Sequence, residues 1–588
     1  MLKNKPINWI ISLAVFTLLP ATLSSAAQWA EKIEERLPQD DPALQPEMDT
    51  EPTVIISVSQ PSDDAPNSDI DKRLPAIDNA PAQEDGTVQV EARPLREGPA
   101  VSFVLTAVQI RGATAIPAEE FAPLYDDLLA RSISLSDVTK LVDRITALYR
   151  EKGYFLSRAV APAQSGANGI LRIDVAEGYL ADISIDGDAS ADVKRRFDKL
   201  RDERPLRLAT LERTMALVGD MRGISVVSSR IEPDPMQLAP HRLVVTLKSD
   251  RFDASFYTDN RGTNDAGPIQ TSVKLAVNSI VRTGDQLSGG LFFIPDSPGE
   301  LMLGEVSYQF PLTEAGTYAA FTGRISHFDA GASLAALDTE SRAKKLAFTI
   351  SHPLIRRRKE SLVGSIGFEG RDIEEEQLSA SRYNDKVRIL SGSLNYRKSH
   401  LNGITSIYGS VTKGLNVFGA STGGVSLSRP DADSEFTKFN TQISRYQNIG
   451  KTFGLYVSFS GQTSLDPLLA SEEFSVGGAR YGRAYNYGEL TGDDGIAILG
   501  ELRYGRNPGV SYLKFYQLYG FVDHGIVWND NVSPAFESLS LSSAGGGLRL
   551  TFPEDIYATF ELARPLDRTP YTQNDRDWRG FFSISKSF

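Results

Sequence analysis

From residue 251 to its end the chain alternates. In SLVGSIGFEG, Leu362, Ile366 and Phe368 share one face of an extended strand, while Ser361, Ser365 and Glu369 share the other. GLYVSFSGQ sets Leu455, Val457 and Phe459 against Tyr456, Ser458, Ser460 and Gln462, and GLRLTF sets Leu548, Leu550 and Phe552 against Arg549 and Thr551. RILSGSLNYR and DIYATFELA behave alike. Gly, Asn, Asp, Pro and Ser punctuate these segments, and no helical period competes with them. Alternation alone suits a soluble sandwich or a membrane barrel. Length decides between them, because a sandwich domain takes about 100 residues. Barrel strands of about 9–11 residues with their turns would number about sixteen here, an even count that closes antiparallel. The chain also stops inside a strand, WRGFFSISKSF, on Phe588.

The other end is built differently. Lys3 and Lys5, the apolar run from Ile7 to Leu19 and Ser24-Ser25-Ala26-Ala27 have the layout of a secretory signal peptide over residues 1–27. That run is short for a membrane span of about 20 residues. No later run approaches that length, so a membrane location has to be reached with strands. Trp29, Ile33 and Leu37 share a helical face in residues 28–38, a segment ended by Pro38 that is either a short exposed helix that frays in isolation or a docking or plug element. Residues 39–100 are acidic and proline-rich, too polar to offset their ordering entropy, and read as a disordered linker.

Between linker and alternation, one pattern occurs twice. In residues 101–178, FVLTAVQIRG reads as a strand, AEEFAPLYDDLLA as a helix and SLSDVTKLVDRITALYREKGY as a second helix. Ser136 is the expected N-cap of that second helix, Val138, Leu141, Val142, Ile145 and Leu148 form its apolar face, and Gly153 ends it. FLSRAVAP and GILRIDVAEG supply two more strands. Residues 179–250 repeat the order through YLADISIDGD, ADVKRRFDKL, LATLERTMALVGDM, GISVVSSRIEP and HRLVVTLKSD. Two consecutive β-α-α-β-β units of modest size result.

Whole classes of function fall away on composition. A net charge of −13 argues against a nucleic-acid partner, which would meet a basic face. With no cysteine, neither a disulfide framework nor a thiolate metal site is possible. His241, His327, His352, His400 and His524 are scattered without H-E-x-x-H spacing, and no G-x-S-x-G elbow occurs. Gly450-Lys451-Thr452 imitates the end of a P-loop, but Arg445 stands where the first glycine belongs. No catalytic, cofactor-binding or metal-binding residue is therefore expected, and the chain does not read as an enzyme.

The order of parts resembles the outer-membrane transporters of two-partner secretion, the TpsB family of the ShlB, FhaC and HecB type, whose wider superfamily includes the barrel assembly factor BamA. The two α/β units look like POTRA domains. EEFSVGGARYGRAY, followed by GELTGDDG and Glu501-Leu502, resembles the family's long inward-folding loop, where a V-R-G-Y/F tetrad is usual. Here Gly477 and Gly478 precede the tetrad, and Gly482-Arg483-Ala484-Tyr485 occupies it, departing from it at Gly482 and Ala484. GFVDHGIVW resembles the F-x-D-x-G strand motif through Phe521, Asp523 and Gly525, which share one strand face. DNRGTNDAG at 259–267 looks like the turn leaving the first barrel strand. Phe588 resembles the signal read by the barrel assembly machinery, although Lys586 stands where an apolar residue is usual.

The resemblance implies a multidomain fold: two POTRA-like α/β domains, 101–178 and 179–250, then an antiparallel transmembrane β-barrel of sixteen strands over 251–588. It implies a monomer in the bacterial outer membrane, surrounded by lipid, with its POTRA domains in the periplasm. Its partner would be a large secreted exoprotein, adhesin- or haemolysin-like, bound unfolded in the periplasm and passed through the barrel. The alternative within the superfamily is an assembly factor or insertase. For the loop, it implies that Arg483 meets Asp523 inside the lumen. A guanidinium fork can grip a carboxylate through two hydrogen bonds and so latch the loop. Since Ala484 lacks glycine's easy access to positive φ, Gly482 is expected to supply that freedom.

Overall fold

A computed structural model describes residues 102–588, apart from 166–167, 188, 264–266, 425, 530–537, 572 and 574. The expected signal peptide, short helix and linker lie outside the described residues.

The first α/β unit is built on the helix Leu135–Glu151. Its cap is Ser134 rather than Ser136. The Ser134 Oγ receives the Asp137 N–H at 3.3 Å, and the Asp137 carboxylate receives the Ser134 N–H at 3.0 Å. This reciprocal box satisfies two end donors at once, which a lone Ser136 would not do. Val138, Leu141, Ile145 and Tyr149 are buried along the helix, with Val142 and Leu148 packed beside them, and Gly153 ends it at φ +88°. The helix covers a sheet in which Ile170–Ala176 lies between Ala107–Arg111, parallel to it, and Arg158–Val160, antiparallel. The single helix expected at 118–130 is instead three short turns, Ala118–Glu120, Ala122–Tyr125 and Asp126–Leu128. Pro123 has no N–H to give residue 119 and disfavours helical geometry at Ala122, so one continuous helix cannot pass.

Glu177 ties this unit together. Its carboxylate accepts the N–H of Thr114 at 2.7 Å and of Ala115 at 2.8 Å, the Tyr149 hydroxyl at 2.8 Å and the Thr114 hydroxyl. Burial pushes the carboxyl up, but these donors together outweigh it and hold Glu177 below its ordinary value. A lowered carboxyl contributes stability that is complete above its unfolded value and is lost as pH falls through the folded one. Protection of the unit's amides against hydrogen exchange is therefore expected to drop below about pH 4.5. Glu177→Gln should remove that acid limb and cost roughly 1–3 kcal/mol at neutral pH.

The second unit repeats the layout. Helices Ala191–Asp198 and Leu208–Gly219 cover a sheet whose central strand, Pro240–Ser249, pairs parallel with Tyr179–Asp186 and antiparallel with Ile224–Pro233. The units interlock, because Leu156 of the first is part of the second's core and Leu208 N–H donates to Gly153 O at 2.9 Å. The second unit also grips the rim of the barrel. Arg356 forms a bidentate pair with Asp220 at 2.9 and 3.1 Å, and Arg213 reaches Pro353 O at 3.2 Å.

Sixteen antiparallel strands form the closed barrel, from Phe252–Asp259 to Arg579–Ser587. The last strand pairs with the first over five residues, Ser583↔Asp259 to Ser587↔Ser255. Phe588 follows the last strand and donates its N–H to Ala254 O at 2.9 Å. The outer face carries exposed Leu275, Phe321, Ile366, Leu394, Val457, Ile498, Val522 and Leu562, an apolar band suited to lipid. The inner face is polar and ion-paired. Wall height is uneven: strands six to eight, Thr339–Arg357, Glu360–Gln377 and Ala380–His400, have 19, 18 and 21 residues. The first strand has 8 and the last 9. On the tall side the outward residues turn from Leu346, Phe368 and Leu390 to a charged row of Lys344, Asp372 and Lys386, which are register neighbours. That row ends the apolar band on this side, and the wall beyond it stands as a collar.

Candidate functional site: a loop folded into the barrel

Residues 465–493 join strands eleven and twelve, Phe453–Ser464 and Asp494–Arg506, and fold back between the walls. A short hairpin, Phe474–Val476 with Leu490–Gly492, stiffens the segment. At its tip Gly477, Gly478 and Gly482 have φ of +120°, +107° and +71°, whereas Ala484 does not enter the left-handed region. The conformational freedom that the tip requires is thus carried by the glycines, Gly482 among them, and Ala484 is simply buried.

The tip is held largely through its backbone. Asp523 on strand thirteen, Phe515–Trp528, accepts the N–H of Gly482 at 2.9 Å and of Arg483 at 3.2 Å, and its Oδ1 also receives the Ser543 hydroxyl at 2.7 Å. Arg261 donates to Arg483 O at 3.1 Å, and Arg579 donates to Ala484 O at 2.7 Å. Backbone groups are the same in every residue, so this grip tolerates glycine and alanine where valine and glycine are usual.

The expected side-chain pair of Arg483 with Asp523 is not the one formed. The Arg483 Nη1 lies 2.7 Å from Glu501 Oε2 and 3.3 Å from Glu561 Oε2, with the guanidinium 4.6 Å above the Phe521 ring. Two N–H groups already occupy Asp523, and the arginine side chain extends past it to the next carboxylates. Glu501 is the centre of this cluster. It also receives Arg503 Nε at 2.6 Å and Arg549 at 2.5 and 3.2 Å. Glu561 receives Arg261 at 2.5 Å and the Tyr519 hydroxyl at 2.8 Å. Tyr485 is buried, and its hydroxyl lies 3.0–3.2 Å from Ser542 O, Asp567 Oδ1 and Arg568 O, one of which takes its single proton. Among the described residues, no group of three or more His, Asp or Glu side chains is arranged to hold a metal ion.

The third member of the strand motif has a steric role. A Cβ on Gly525 would lie 2.3 Å from Val476 Cγ1, so glycine there makes room for the loop hairpin. Gly525→Ala is expected to cost about 1–3 kcal/mol through overpacking. Val476→Ala in the same chain should relieve it, as read from the thermal unfolding of the folded barrel.

This is a barrel whose lumen is occupied by a loop held at an Asp-Arg-Glu cluster, with α/β units at one rim. A family model described as haemolysin secretion/activation protein ShlB/FhaC/HecB matches residues 242–550, more than half of the chain. The chain belongs to this family. A model of the ShlB-type POTRA domain matches residues 103–178. The haem/hemopexin transporter protein HuxB of Haemophilus influenzae is 22% identical over 488 residues, covering 79% of this chain and 84% of that one. The outer membrane transporter CdiB of Escherichia coli is 24% identical over 484 residues, covering 80% of each. In fold, the chain is similar to the solved CdiB of Escherichia coli with a TM-score of 0.71, covering 88% of this chain and 95% of that one at 22% identity. CdiB of Acinetobacter baumannii gives 0.63, with coverage of 97% and 100% and 15% identity.

As a member of this family the chain is an outer-membrane β-barrel transporter of two-partner secretion, with POTRA domains in the periplasm, rather than a barrel assembly factor. Such transporters serve large secreted exoproteins. Sequence reasoning had placed Glu501 beside the loop without a role and had Arg549 on the polar face of its strand. It missed Glu561, Arg261, Arg503 and Arg579. The available signal was charge at alternate positions, Glu501 with Arg503 in GELRYGR and Glu561 in ATFELA, since an ionisable side chain on the lumen face requires a partner there.

Proposed function

We propose that this transporter captures its exoprotein unfolded, as an added strand on the POTRA sheets, and passes it through the barrel past the inward loop. Tyr179–Asp186 and Ile224–Pro233 are edge strands of their sheet, and an edge offers unpaired N–H and C=O groups to an extended chain. The observation that carries the reading is the seating of the inward loop, because Asp523, Arg483 and Glu501 fix one lumen geometry that an exported chain has to displace or pass. Arg483 and Asp523 act as one latch from opposite sides of the tip, guanidinium to Glu501 and carboxylate to backbone. No bond-making chemistry is assigned, and folding of the client outside the cell supplies the drive. The client is adhesin- or haemolysin-like, the transporter is a monomer in lipid, and Phe588 is the residue read by the assembly machinery.

The test is deletion of the gene followed by comparison of the proteins outside the cell and in the outer membrane. Loss of one large exported protein is the expected result. Continued export of every large protein would sink the reading, and a general fall in outer-membrane barrels would favour the assembly-factor alternative.

A further inference from the structure

The loop 415–436 joins the ninth and tenth strands, Gly403–Gly414 and Thr437–Ile449, on the extracellular side. It runs along the upper part of the eighth strand, beyond Ile389, where the ninth strand no longer pairs. Leu415 N–H donates to Arg388 O at 2.8 Å, Ser421 N–H to Lys386 O at 2.9 Å, and Asn384 N–H to Ser426 O at 2.9 Å. Ala432 and Phe436 bury themselves against Val387 and Ile389 of the eighth strand, together with Leu468 and Leu469 at the base of the inward loop.

One side chain makes the ionic half of this contact. Arg429 Nη1 lies 2.6 Å from Asp493 and 3.0 Å from Glu473, while Asp431 holds the far side of the guanidinium at 3.0 Å. Glu473 and Asp493 are the residues immediately before and after the hairpin, so a single guanidinium ties both of its ends to the outer loop. Beside it, Ser428 Oγ accepts the Ala470 N–H at 3.0 Å. Without Arg429, two carboxylates with only 7% and 2% of their side chains exposed would lack the cation they share.

We propose that Arg429 is a positioning residue for secretion, holding the loop 415–436 as a lid across the base of the inward loop, and that the lid lifts when a client leaves. This rests on the reading that the inward loop stands in the client's path. It adds a second closure at the extracellular end, on groups separate from the Asp523 cluster.

The chain has no cysteine, so Ser428→Cys with Ala470→Cys in the full-length protein introduces a single tether. With the disulfide formed, secretion is expected to fall about tenfold or more and to recover on reduction, while each single variant secretes normally. Full secretion by the tethered protein overturns the lid. In planar bilayers, Arg429→Ala is expected to raise the open fraction of the channel about tenfold, with Arg429→Lys restoring part of the closure. A packing role alone would lower thermal stability and leave the open fraction unchanged, which also overturns the proposal. The bilayer measurement decides if the cysteine pair does not assemble. Asp523→Ala reports on the inward loop separately: normal secretion and conductance there count against the loop reading, whereas failure of the tether alone counts against the lid.

Discussion

Asp523→Ala is expected to reduce secretion about a hundredfold while leaving a closed, heat-resistant barrel, because the change removes the acceptor for three donors at once. The N–H groups of Gly482 and Arg483 and the hydroxyl of Ser543 all lie in a buried cluster, and each left without a partner costs roughly 1–3 kcal/mol. Even the low end of that sum shifts the seated and unseated loop populations by two powers of ten. Channel conductance should rise as secretion falls, since an unseated loop no longer fills the lumen. Asp523→Asn keeps one acceptor oxygen and should lie between. Exchanging the charges, Arg483→Asp with Asp523→Arg, is expected to rescue nothing. The guanidinium faces Glu501 and Glu561, so the swap would place a carboxylate against carboxylates. Restored secretion in the swapped chain would show that the direct pair, and not the backbone grip, is what matters.

Glu501→Ala should have the largest effect on the barrel itself. Arg483, Arg503 and Arg549 converge on this one carboxylate, whose side chain has no exposed surface. Removing it strands three cations, of which Arg483 keeps Glu561 at 3.3 Å, at a cost of roughly 3–5 kcal/mol. The folded barrel is expected to lose its heat resistance on a semi-native gel. Adding Arg549→Met should return part of that loss, because it removes one stranded charge and leaves an apolar side chain against Tyr519. A double-mutant cycle should then give a coupling of at least about 1 kcal/mol. Strict additivity would mean that the cluster contributes no more than its separate pairs.

The barrel could be recognised in the sequence because strand alternation is a local property, repeated in every segment from SLVGSIGFEG to GLRLTF. Sixteen followed from length alone. The two α/β units were legible for the same reason, through helical faces such as Val138, Leu141 and Ile145. Capping was misplaced by two residues because Ser134 and Ser136 both precede the apolar run, and only the reach of the Asp137 side chain distinguishes them. At the site, the resemblance identified the loop and the strand but assigned the arginine to the wrong carboxylate. Partner choice across a lumen depends on register between strands twelve and thirteen and the strand Ile556–Pro565, and register is not written in any one of them. Arg429 was invisible for a stronger reason: its partners, Glu473 and Asp493, come together only once two loops have folded over the same wall.

The uneven wall has a consequence for how the outside world reaches this machine. The row of Lys344, Asp372 and Lys386 leaves the upper ends of strands six to eight standing in water, and just beneath that row Val387, Ile389 and Arg371 meet the base of the inward loop. The Asp523 end lies deeper, inside the part of the barrel girdled by lipid. One loop is therefore fastened in two media. Salt outside the cell reaches the exposed edge of its upper fastening, the Asp431 carboxylate on Arg429, within a screening length of about 8 Å at physiological ionic strength, and scarcely its lower one. Channel openings recorded while salt is raised on the extracellular side alone should report the upper fastening, giving the transporter a way to respond to the medium into which it delivers.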